Sequence, residues 1–167
     1  MKKFRGHYRI PSARLRGWDY AAPGYYSITI TVRGRHPIFG HVVDGKMVLS
    51  QAGQIAHQFM VDIPQHFQNA SVDTFVIMPD HVHAIIHILW RKVEEESVPK
   101  FGRLLPGSLP KIVQAYKAAV TRRIRMEGNP DFEWQPRYYD HIIRNKKTLK
   151  RHRRYILNNP KIWENGR

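Results

Sequence analysis

The sequence predicts an α+β fold on the ferredoxin-like plan, a β-α-β-β-α-β antiparallel sheet with two helices on one face. Three observations carry this. Stretches that alternate with period two and stretches that repeat at three and four follow each other as strand, helix, strand, strand, helix, strand. Pro79-Asp80 separates two apolar runs, 73–78 and 81–90, each of strand length. A third helical stretch is left over at the end of the chain, and only the second face of the sheet is open to receive it.

Residues 1–17 carry Lys2, Lys3, Arg5, Arg9, Arg14 and Arg16 with no acidic residue, and read as a basic arm ahead of a single domain over 18–167. Gly24 to Val32 alternates, with Tyr26, Ile28, Ile30 and Val32 on one face and Tyr25, Ser27, Thr29 and Thr31 on the other. In 41–49, Asp44-Gly45 between apolar pairs marks a tight hairpin that leaves the main sheet. Ser50 is a good N-cap for a helix with Ala52, Ile55, Ala56, Phe59, Met60 and Ile63 on one face, and Pro64 breaks or restarts it. Ser108 caps a second helix, with Pro110 in its first turn and an apolar stripe of Ile112, Val113, Tyr116, Ala119, Val120 and Ile124. A short strand is expected from about 138 to 143. A last helix is then capped by Asn145 and runs to about Asn158, with Pro160 beyond it.

The chain has 167 residues, enough to bury a core as one domain. Lys plus Arg number 28 against 13 Asp plus Glu, a formal +15 with pI near 10.4. An excess this large points to a polyanionic partner, most often nucleic acid. Mean hydropathy is −0.52, and the longest apolar run, Val82 to Trp90, is far too short to span a bilayer. The first residues lack the apolar stretch of a signal peptide, so a cytoplasmic protein is expected. Without cysteine, disulfides and thiolate metal sites are excluded.

The strand after Pro79-Asp80 carries the chemistry. Val82, Ala84, Ile86 and Ile88 share one face, His81, His83, Ile85 and His87 the other. His81 and His83 stand roughly 6–7 Å apart along the strand, so two imidazoles can hold one divalent metal if another ligand arrives from elsewhere. The last helix offers Tyr155 and Asn159, four residues apart on one face. Tyr155 sits among Lys146, Lys147, Lys150, Arg151, Arg153 and Arg154, which attract a phosphodiester. Asn159 supplies a neutral oxygen suited to Mg²⁺ or Mn²⁺. Docked on the histidine face, this helix brings a tyrosine nucleophile over a metal held by His81, His83 and Asn159.

Val76-Ile77-Met78-Pro79-Asp80-His81-Val82-His83, Ser108-Leu109 with Lys117, Trp134-Gln135 with Tyr139 to Asn145, and Tyr155-Ile156-Leu157-Asn158-Asn159-Pro160 occur in this order over about 18–163. Together they resemble the REP-associated tyrosine transposases, single-tyrosine members of the HUH endonuclease superfamily related to the small insertion-sequence transposases. The resemblance implies a ferredoxin-like fold, a divalent metal (Mg²⁺ or Mn²⁺), and single-stranded DNA carrying hairpin-forming repeats as the partner. It implies cleavage and rejoining through a 5′-phosphotyrosine intermediate. By matching motifs His81 and His83 bind the metal, Tyr155 is the nucleophile and Asn159 the third ligand. It favours a monomer over a homodimer, in a bacterial, nucleoid-associated setting. The family often has Asn before the first histidine, where this chain has Asp80.

Lys150, Arg151, Arg154, Arg144, Arg137, Trp134, Arg122 and Arg123 are candidate DNA contacts. Trp134, Gln135 and Arg137 either stack on and read a flipped base or form a turn held by a buried tryptophan. His87 and His141 are expected to pack or hydrogen-bond. His152, one turn before Tyr155, is placed either to move a proton or to meet a phosphate. Two competing functions use the same residues. One is a non-catalytic binder of structured nucleic acid, the other a metal-dependent nuclease that attacks with water.

Overall fold

The structure, a computed structural model, describes residues 14–92 and 104–166, together with the backbone of a short ribbon pairing Lys3–Phe4 with His7–Tyr8. The rest of the expected basic arm before residue 14, and residues 93–103 between the fifth strand and the second long helix, lie outside the described residues.

The alternating stretch becomes β1, Gly24–Thr31. It pairs antiparallel with β5, His81–Ile88, on one side and with β6, Tyr139–Ile143, on the other. β4, Ala70–Ile77, pairs antiparallel with the outer edge of β5. The sheet order is therefore β4-β5-β1-β6, the ferredoxin-like arrangement expected from the element order. β2, Gly40–Val43, and β3, Lys46–Leu49, form a separate hairpin. Asp44 and Gly45 both adopt positive φ there, as a two-residue turn of this hand requires.

Several elements depart from the expected limits, and β5 ends two residues early, at Ile88 rather than 90. β4 begins three residues early, at Ala70 rather than 73. A bulge falls between Val72 and Thr74, and it shifts the alternation by which a strand start is recognised. The sixth strand opens at Tyr139, one residue late. The last helix, α4, runs over Lys146–Asn165 and passes through Pro160 instead of ending near Asn158. Proline removes one backbone donor and crowds the preceding turn. Here Asn159 and Pro160 are both buried, and the extra turns pack on the β2–β3 hairpin, so tertiary packing outweighs the local preference.

α1, Gln51–Val61, starts at Ser50, whose hydroxyl accepts the Gly53 N–H at 3.1 Å. Pro64 restarts the chain as a single turn, α2, Ile63–His66. α3, Leu109–Met126, is capped by Ser108. α1 and α3 cover one face of the sheet, burying Tyr26, Ile28 and Ile30 of β1 and Val82, Ala84, Ile86 and Ile88 of β5. Tyr116 of α3 donates to the Ala56 carbonyl of α1 at 2.9 Å and so ties the two helices together. α4 lies on the opposite face, over a smaller apolar cluster of Ile85, Ile143, Leu149 and Ile156.

Candidate active site under the last helix

The period-two alternation of β5 decides what reaches the site. Even positions from 82 to 88 enter the main core, so His81, His83 and His87 turn toward α4. The rings of His81 and His83 lie with centroids 4.6 Å apart, edge to face.

Each imidazole is fixed through one nitrogen. His81 Nδ1 lies 2.5 Å from Asp80 Oδ1, and Asp80 is itself met by Arg35 Nε at 3.2 Å. His83 Nδ1 lies 2.9 Å from Thr29 Oγ1, the residue directly opposite it on β1. In each ring Nε2 is thereby the nitrogen left for another ligand. Burial, above all, holds both histidines below the usual imidazole pKa, and the neighbouring His81 charge helps bring His83 down to about 4. Both are thus biased toward the neutral form that binds a metal. Asp80 opposes the shift at His81 and orients its ring, a role that suits a carboxylate as well as an amide.

α4 supplies the other half. Asn145 caps it, accepting the Thr148 N–H at 2.8 Å. One helical turn separates Tyr155 and Asn159, and both reach the histidines. The Tyr155 ring is 5.7 Å from that of His83 and half-exposed, while Asn159 is buried and near enough to His81 to favour its protonated form slightly. Trp163, on the turns past Pro160, lies 5.9 Å from the His81 ring.

Among the described residues no group of three or more His, Cys, Asp or Glu side chains could hold a metal. The donors that do converge are two neutral imidazoles and one amide oxygen, an incomplete set that leaves positions for phosphate oxygens and water. The residues present fit such an ion.

The candidate DNA contacts divide. Lys150, Arg151 and Arg154 are exposed on α4, and Arg144 is exposed just before it. Arg153, in the same run, is tied to Asp73 by two hydrogen bonds of 2.8 and 2.5 Å. Arg122 and Arg123 belong to α3, across the sheet from Tyr155, and Arg123 pairs with Glu127 at 2.8 Å. Arg137 has positive φ, and its carbonyl accepts from Lys117. Trp134 is buried against Phe39 and Phe132, and its indole N–H reaches the Lys117 carbonyl at 3.2 Å. Of the two readings of Trp134, this geometry is the turn held by a buried tryptophan. His87 stacks on Tyr25 with ring centroids 3.9 Å apart, and His141 stacks on His152 at 4.9 Å. His152 thus packs on β6, away from Tyr155.

Four polar residues near α4 escaped the sequence reading: Thr29, Arg35, Asp73 and Asp140. The row Tyr25, Ser27, Thr29 and Thr31 on one face of β1 hinted that this face meets polar groups. The register that sets Thr29 against His83 was not readable from spacing.

No family model matches the chain. A Haemophilus influenzae protein of uncharacterised function is 35% identical over 162 residues, covering 92% of this chain and 89% of that one. The chain belongs to that protein's family. Among solved structures it is similar to a REP-associated tyrosine transposase bound to a REP hairpin. The TM-score is 0.58 at 20% identity, over 96% of this chain and 73% of the other. A candidate transposase from Deinococcus radiodurans R1 matches with TM-score 0.50 at 18% identity, over 87% of this chain and 95% of the other. The fold implied by the sequence resemblance, that of the REP-associated tyrosine transposases, is the fold observed.

Proposed function

We propose that this protein is a DNA-nicking and strand-joining enzyme that acts on single-stranded DNA beside hairpin-forming repeats, with Tyr155 as its nucleophile. The observation that carries the reading is the meeting of two distant segments. A half-exposed tyrosine on α4 stands 5.7 Å from the His83 ring of the histidine pair on β5, with Asn159 one turn away. The solved relative bound to a REP hairpin supports the substrate class.

His81, His83 and Asn159 would hold a Mg²⁺ or Mn²⁺ ion, which when bound polarises a non-bridging phosphate oxygen. The chain's own residues do the rest. Asp80 and Thr29 fix the two imidazoles in orientation. Lys150, Arg151 and Arg154 offer exposed cations on the helix that carries the nucleophile, and draw the backbone toward it. Tyr155 Oη attacks phosphorus and becomes joined to the 5′-phosphate, while the departing strand keeps a free 3′-hydroxyl. No water is consumed, so the bond energy is retained and the reverse attack rejoins a strand.

The test uses a labelled hairpin oligonucleotide with a single-stranded flank, Mg²⁺ or Mn²⁺, and a denaturing gel. The expected result is a covalent protein–DNA band that disappears in Tyr155→Phe. Cleavage that survives this substitution would assign the attack to water. Binding without cleavage would leave a structured-DNA-binding protein. Affinity is expected to fall steeply between low and moderate salt as counterions are released. A flat response would count against the nucleic-acid reading as a whole.

A further inference from the structure

The turn that follows β1 holds an arginine in a conformation its side chain does not favour. Within Arg33–Arg35, Gly34 and Arg35 both take positive φ, 67° and 55°. Glycine does so freely, but the Cβ of an arginine is crowded there, and it lacks the short polar side chain by which Asn or Asp tolerates the strain. Such strain persists where the surrounding structure imposes it, and it gathers at functional sites.

The Arg35 side chain reaches Asp80. Its Nε donates to Asp80 Oδ2 at 3.2 Å, and the other carboxylate oxygen, Oδ1, lies 2.5 Å from His81 Nδ1. The backbone on either side of Arg35 is tied to the same short segment. Val32 N–H donates to the Asp80 carbonyl at 2.9 Å, and Phe39 N–H to the Pro79 carbonyl at 3.0 Å. Two main-chain bonds and one side-chain bond thus strap the turn that launches β5. Asp80 is only 3% exposed, whereas the Arg35 side chain is 64% exposed. A buried carboxylate is costly unless its oxygens are matched by donors. One oxygen is spent on the ring of a metal-ligand candidate, and the other is met by a planar, permanent cation.

We propose that Arg35 is a positioning residue of the candidate metal site: it pins the Asp80 carboxylate so that Oδ1 stays on His81 Nδ1 and the ring is held with Nε2 free for the ion. Arg35 meets the carboxylate on the Nδ1 side of the imidazole, away from Nε2, and so acts through Asp80. The assignment rests on the metal-assisted reading of the site. It also gives the carboxylate at residue 80 a purpose. An Asn there, with its oxygen on His81, would turn its amide nitrogen, a donor, toward the Arg35 guanidinium, which is itself only a donor. In that background Arg35 has nothing to hold.

The experiment compares the native chain, Arg35→Gly, Asp80→Asn and the double variant. Mn²⁺ affinity is measured by calorimetry, and the histidine tautomers of the ion-free protein by long-range proton–nitrogen NMR at mildly alkaline pH. Glycine is chosen because it takes positive φ without strain, so the turn itself is kept. Arg35→Gly is expected to weaken Mn²⁺ binding about fivefold in the native background, less than loss of Asp80 itself, and not at all once Asp80→Asn is present. In the ion-free protein His81 should show one tautomer, protonated at Nδ1, in the native chain and an exchanging mixture in Arg35→Gly. An equal loss of affinity in both backgrounds overturns the proposal, since Arg35 would then act through the shape of the turn. Unchanged affinity in Arg35→Gly, or a His81 tautomer that stays fixed, also overturns it and leaves the metal reading standing. A native protein that binds no Mn²⁺ removes that reading and the proposal with it.

Discussion

The two faces of the sheet are built on opposite terms. Under α1 and α3 the packing is deep and almost wholly apolar, and the Tyr116 hydroxyl buried there is tied to a backbone carbonyl. Under α4 four buried aliphatic residues share the space with three histidines, an ion pair and a half-exposed tyrosine. One strand serves both. Alternate residues of β5 anchor the core and furnish the site, so a one-residue slip would drive the histidines into the main apolar core and set the isoleucines under α4. Stability is thus concentrated on one face, and the other is left free to carry groups that stability alone would not select.

The sharpest way to break this division is at Tyr155. Tyr155→Phe is expected to abolish the covalent adduct, a loss of at least about 10³-fold in strand cleavage. Its melting temperature should hardly move, since half of the side chain is already in water. A large fall in stability would mean that Tyr155 anchors α4 and that the two faces are not separate. On the other side, Ile86→Ala should cost about 3–4 kcal/mol in chemical denaturation. Ile156→Ala, in the thinner cluster under α4, should cost about 2 kcal/mol because the helix can settle over the gap. Equal costs would mean that the α4 face is as tightly packed as the main core.

The sequence made the apolar face more legible than the polar one. Alternation in β1 and β5 and the three-four stripes of the helices are local patterns, and each led to its element. Pairing His81 with His83 was equally local. The partners that fix them were not. Thr29 is 54 residues from His83, and Arg35 is 45 from Asp80. Only strand register and a positive-φ turn at Arg35 bring them together. The bulge at Asp73 disguised both the start of β4 and the ion pair with Arg153, which in the sequence was one more cation in a basic run. Pro160 misled because a local helix breaker was outweighed by the surface on which its helix lies.

Asp80 tests how far the site's order depends on its support. Asp80→Ala should weaken Mn²⁺ binding, measured by calorimetry, by about 10-fold to 100-fold. Asp80→Asn should cost less, because an amide oxygen still accepts from His81 Nδ1. If the two variants bind alike, the orientation of His81 comes from Asn159 and Trp163 on α4 and not from the strand below.

The smallest effect should come from the polar tie between the edge strand and α4. Arg153, by hydrogen bonding, holds the Asp73 carboxyl below its ordinary pKa, and the Thr74 hydroxyl assists. A depressed folded-state pKa contributes stability that is present above the unfolded value, about 3.9, and is lost as pH falls through the folded value. Arg153 is 42% exposed, so solvent screens the pair, and Asp73→Ala should cost about 1 kcal/mol at pH 7. The gap between native protein and variant should narrow progressively as pH drops below about 4 and through the lower folded-state value, where the native carboxylate is neutralised as well. Melting curves at pH 7 and pH 3 read this directly, and hydrogen exchange should show the loss confined to α4 and β4. A gap of the same size at both pH values would mean that residue 73 acts through the shape of the bulge. The thin face would then be held by backbone geometry, and its charges would be left for the substrate.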